Sequence, residues 1–118
     1  MSIYVVIDVE FDGLKLGLNS MISLGAVAIN KNGDNFGDFE INFAPMENSV
    51  SDPVTMDWFI SEAPDALNYC KKNQVPPKEA MNQFGDWLLE TTKSKNYGSS
   101  PSANRFCMGQ LLLLKVSS

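Results

Sequence analysis

No histidine occurs anywhere in this chain. Its absence removes the side chain most often used as a general base near neutral pH and the commonest metal-ligating ring, so any hydrolytic chemistry falls to carboxylates, hydroxyls or thiols. Cysteine is nearly as scarce. Cys70 and Cys107 alone make neither a disulfide framework nor a zinc pattern, and both are expected to be reduced thiols. Basic residues are also few, nine against fourteen acids for a net charge of −5, and they are scattered along the chain. A module that coats duplex nucleic acid gathers positive charge on one face. This composition argues against that class, but not against a metal-dependent enzyme whose acids hold cations. No apolar run approaches the roughly 18 residues that a membrane span needs, and Met1-Ser2-Ile3 carries no basic stretch ahead of an apolar one. The expectation is a cytoplasmic protein with no membrane partner, built as one small domain of 118 residues with its own core.

What the chain does have is an unusual first strand, Ile3-Tyr4-Val5-Val6-Ile7-Asp8-Val9-Glu10. Side chains alternate along a strand, so Asp8 and Glu10 share one face about 6.6 Å apart, while Ile7 and Val9 face a core. Two acids on one face of a buried strand cost several kcal/mol to desolvate unless positive charge sits between them. Two explanations fit: an edge strand with one wet acidic face, or a hard divalent cation held by oxygen ligands.

The residues that follow fall into short elements. Met21 to Ile29 is apolar on both faces and predicts a central strand. Asn32-Gly33 marks a tight hairpin turn with positive φ angles. Phe36 to Phe43 alternates, with Phe39, Ile41 and Phe43 on one face and Asp38, Glu40 and Asn42 on the other. Asp52-Pro53 offers a helix cap and a first-turn proline, Pro64 restarts a second short helix, and Pro76-Pro77 opens a third. In that third helix Ala80, Met81, Phe84, Trp87 and Leu88 form a stripe at 3.6-residue spacing. The expected fold is α/β: an antiparallel three-strand meander at about 3–10, 21–30 and 35–43, then helices at about 53–61, 64–72 and 77–91. Residues 91–104 read as a loop with a short strand at Asn96-Tyr97, ahead of four leucines, Leu111 to Leu114.

Asp8-Val9-Glu10-Phe11-Asp12-Gly13-Leu14, a short loop, and Ile22-Ser23-Leu24-Gly25-Ala26-Val27 together resemble the first motif of the DEDD (DnaQ-like) 3′–5′ exonucleases. Thr55-Met56-Asp57-Trp58 and Glu79-Ala80-Met81-Asn82-Gln83-Phe84-Gly85-Asp86-Trp87-Leu88 are similar to the helices of a branch holding phage DexA-type enzymes and bacterial exoribonucleases. The resemblance implies a single, partial ribonuclease H-like domain over 1–118, strongest over 1–102, with 103–118 a truncated or divergent tail and the C-terminal part of the fold incomplete. A shortened or frame-shifted reading frame would leave that pattern.

In a complete member of this family four acids hold two Mg²⁺ or Mn²⁺ ions, which clamp the phosphate at the 3′ end of single-stranded DNA or RNA and release nucleoside 5′-monophosphates. By resemblance, Asp8 bridges both metals and Glu10 binds the metal that carries the attacking water. Phe11, Asp12, Gly13 and Leu14 line the terminal nucleotide, with Leu14 as an apolar wedge. The third acid position is held by Cys107 or by Asn104, depending on the alignment, and neither is a carboxylate. The fourth acid and its His or Tyr base have no counterpart here. The expectation is at most one weakly held Mg²⁺ or Mn²⁺ and an exonuclease that is weak or inactive. The alternative is a catalytically inactive relic of the fold that binds nucleic acid or protein.

Overall fold

The structure is a computed structural model that describes residues 2–15, 17–92, 102–108 and 111–116, the last two segments as backbone. Its elements are β1 (Ile3–Phe11), β2 (Met21–Ile29), β3 (Asn35–Asn42), α1 (Pro53–Glu62), α2 (Pro64–Cys70), α3 (Pro77–Thr92), β4 (Ser102–Met108) and β5 (Leu111–Val116). The strands make one sheet in the order β3-β2-β1-β5-β4, antiparallel throughout. The mixed α/β class, the three-strand meander and the three helices agree with the sequence to within two residues at each end.

The structure adds to the expected meander within 103–118: the leucine run is β5, paired with β1 from Ile3↔Val116 to Asp8↔Leu111, and β4 pairs outside it. Four leucines in a row supply apolar side chains for both faces of a buried strand, and the open edge of β1 gives them backbone to pair with. As a result β1 is not an edge strand but lies inside a five-stranded sheet, with its acidic face still open to solvent at Asp8. The expected strand at Asn96-Tyr97 falls outside the described residues.

One sheet face is covered by α3. Ile3, Val5, Ile7 and Val9 of β1 pack with Leu24, Ala26 and Ala28 of β2, with Ile41 and Phe43, and with Ala80 and Phe84 of α3. The Phe39 ring stands 5.6 Å from Phe84 and 5.7 Å from Trp87. Fully burying a side chain, as for Phe84, contributes roughly 1.5–3 kcal/mol. Met81, expected on this stripe, is 45% exposed and turns away from the sheet.

The β2–β3 hairpin also differs in detail from expectation. Only Gly33 takes positive φ (84°), with the Gly33 N–H donating to the Asn30 carbonyl (3.0 Å) and the Asn30 N–H to Asp34 (3.2 Å). This is a longer loop closed by a left-handed glycine, in place of the two-residue primed turn.

Helix α1 starts as its sequence requires. The Asp52 carboxylate accepts from the Thr55 N–H (3.1 Å) and hydroxyl (2.8 Å), with Pro53 following the cap. Phe59, Leu67 and Cys70 of α1 and α2 close around Ile22 at one end of β2. Buried Asn42 fastens that end to the sheet, its Nδ2 donating to the carbonyls of Tyr69 (2.8 Å) and Lys72 (2.9 Å).

Candidate functional site

The face of β1 opposite α3 carries Tyr4, Val6, Asp8 and Glu10, and the strand register extends it into rows. Asp8 lies opposite Gly25, and Gly25 opposite Glu40. Val6, Val27 and Asp38 form the row on one side, and Glu10, Ser23 and Asn42 the row on the other. Directly opposed residues share a face, so Asp8, Glu10, Asp38 and Glu40 point the same way. Nothing lies within 4 Å of the place a Cβ on Gly25 would occupy. Gly25 is therefore the floor of a hollow of about 400 Å³, with Val6 and Asp8 along one side and Asp38 and Glu40 along the other.

Asp8 is exposed, whereas Glu10 is half-buried. Burial raises the proton affinity of the Glu10 carboxyl, and the negative charge of Asp8 raises it further. A cation between the two carboxylates would relieve both effects at once, because it replaces lost hydration and cancels the repulsion. Cys70, at the end of α2, adjoins this row. Its thiol is pushed up by burial and by Glu10, against a hydrogen bond with Ser23 that draws it down. Cys70 is thus a protonated, poorly ligating thiol rather than a metal-binding thiolate.

The loop after β1 is built by its own side chains. Asp12 is buried, and its carboxylate accepts from the Ser20 N–H (2.6 Å) and the Ser51 hydroxyl (3.1 Å). Gly13 packs so closely on the Asn19 side chain that a Cβ there would overlap it. Asn19 in turn accepts from the Lys15 N–H (2.8 Å) and donates to the Val50 carbonyl (2.6 Å). Phe11 packs against the core edge, and the chain turns outward so that Leu14 is 91% exposed. Of the four residues expected to line a nucleotide, Leu14 is the one the loop presents to solvent. The Asp12 carboxylate and Gly13 hold the loop's shape.

The third-acid candidates lie further away. Cys107 and Asn104 are both on β4, and β5 separates β4 from β1. Cys107 aligns through Leu112 with Ile7, not with Asp8. Among the described residues no group of three or more His, Cys, Asp and Glu side chains is placed to hold a metal ion. Asp8 and Glu10 are two carboxylates on one face, short of the three ligands such a group needs. The other acids of this face, Asp38 and Glu40, were visible in the sequence as the outer side of an alternating strand. Only the register places them on the Asp8 face, and the Tyr69 hydroxyl donates to Glu40 (2.9 Å).

No protein-family model matches this chain, and no curated protein matches it.

Proposed function

We propose that the protein is a divalent-metal-dependent 3′–5′ exonuclease of low activity, acting on the ends of single-stranded DNA or RNA and releasing nucleoside 5′-monophosphates. The observation that carries the reading is the pair Asp8 and Glu10 on one face of an interior strand, beside a projecting Leu14. Glu10 is half-buried beside the charge of Asp8, which raises its proton affinity, and the resemblance of Asp8 through Leu14 to the first exonuclease motif gives the pair a use. On this reading one Mg²⁺ or Mn²⁺ bound by both carboxylates grips the terminal phosphate. Leu14 packs on the last bases, and the water that attacks phosphorus has no dedicated side-chain base.

The wide separation of β4 from β1 favours a second reading, a catalytically inactive relic that holds a nucleic-acid end or a protein partner without cutting. The test incubates 5′-labelled single-stranded RNA and DNA with protein and Mn²⁺, with Asp8→Asn as the control. Slow, Asp8-dependent release of mononucleotides supports the exonuclease. Metal-dependent binding without cleavage supports the relic, and activity unchanged in the Asp8→Asn protein removes both.

A further inference from the structure

We propose that Asn32-Gly33 is a self-modification site, at which the Gly33 backbone nitrogen attacks the Asn32 side-chain carbonyl carbon. The new C–N bond closes a five-membered succinimide and expels the side-chain nitrogen as ammonia. Water then opens the ring at either carbonyl, giving aspartate or isoaspartate and adding one negative charge. The reaction is fastest where the following residue has no Cβ to hinder approach, and Asn32 is the one asparagine in the chain followed by glycine.

The fold leaves this site accessible. Residues 31–36 are all exposed, nothing lies within 4 Å of a Cβ position on Gly33, and among the described residues no hydrogen bond holds the Asn32 side-chain amide. Two backbone bonds close the loop, from Gly33 N–H to Asn30 (3.0 Å) and from Asn30 N–H to Asp34 (3.2 Å). Attack requires the Gly33 bond to open, and a solvent-exposed hairpin tip opens at low free energy.

The one Asp-Gly dipeptide of the chain, which can close the same ring, is protected. Asp12-Gly13 would lose water instead of ammonia, but Asp12 is 3% exposed, with its carboxylate fixed by the Ser20 N–H and the Ser51 hydroxyl. Gly13 is pinned against Asn19. One fold thus exposes the first site and encloses the second.

Conversion has structural consequences confined to this end of the sheet. Isoaspartate lengthens the loop backbone by one carbon and disturbs the Asn32 N–H bond to Asn30 Oδ1 (2.9 Å). The new carboxylate enters beside Asp34, which already accepts from Asn30 Nδ2 (2.8 Å). Asp8 pairs with Gly25, four residues back from Ile29, or about 13 Å along β2. Its cation site should not respond.

The full chain is aged in warm, mildly alkaline buffer, and each Asn and Asp-Gly position is followed by peptide mapping with isoaspartate-specific methyl labelling. The expected result is progressive loss of the Asn32 amide with isoaspartate as the larger product, Asp12 unchanged, and no label in Asn32→Gln. In urea Asp12 should convert as well. The proposal is overturned if Asn32 stays intact while another asparagine converts, if Asn32→Gln labels as strongly as wild type, or if Asp12 converts equally fast folded and unfolded.

Discussion

Asp8 and Glu10 leave the same face of β1 two residues apart, and the charge of Asp8 adds to burial in raising the proton affinity of Glu10. For an acid, a raised native pKa means the folded state binds more protons than the unfolded chain between the ordinary value of 4.5 and the raised value. Stability therefore falls as pH rises through that window, and the loss persists above it. Glu10→Gln should remove the loss, giving a protein more stable than wild type at neutral pH and a flatter stability–pH curve. Urea unfolding at several pH values measures this, and a Gln variant less stable at neutral pH would contradict it.

Asn42 joins the sheet to the end of α2 through two carbonyls. Asn42→Ala removes both bonds, while the Tyr69 carbonyl keeps the Lys72 N–H as a donor, and each lost bond costs about 0.5–1.5 kcal/mol. The urea midpoint should drop accordingly, and amide exchange should quicken around Tyr69 to Lys72 before it does in β1. Tyr69→Phe, which removes an exposed bond to Glu40, should change the unfolding free energy by under about 0.5 kcal/mol.

Placing an acid at either position aligned with the family's third acid should not add a ligand to the cation site proposed at Asp8 and Glu10. β4 is two strand spacings from β1, roughly 9.5 Å between backbones, and Cys107 aligns with Ile7. Cys107→Asp and Asn104→Asp are each expected to leave Mn²⁺ affinity within twofold of wild type by calorimetric titration. A clear gain in one of them would mean that β4 approaches Asp8 more closely than this strand order allows.

Much of the fold was legible because its signals are local. Alternation in Phe36 to Phe43 and the proline and aspartate punctuation at 52, 53, 64 and 77 identify strand and helices from neighbouring residues alone. The stripe on α3 was right for Ala80 and Phe84 and wrong for Met81, because periodicity gives the direction of a face but not its width. The position of Leu111 to Leu114 beside β1 was not legible. Strand pairing across a hundred residues is decided by which edge is open, not by any property of four leucines. Asp8 and Glu10 were recognisable as a same-face pair from spacing, while Glu40 and Asp38 joined them only through a register running across Gly25. The role of Asp12 was hidden for a related reason, since its partners Ser20 and Ser51 come from distant segments.

The most direct test of the account is a calorimetric titration of Mn²⁺ into the wild-type protein at neutral pH, repeated with Asp8→Asn. Two carboxylates that share a face, one of them half-buried with its proton affinity raised by burial and by its neighbour's charge, should bind one Mn²⁺ weakly, and the Asp8→Asn protein should show no such heat. Absence of binding by wild type, or an unchanged isotherm in the variant, would contradict a cation site at Asp8 and Glu10.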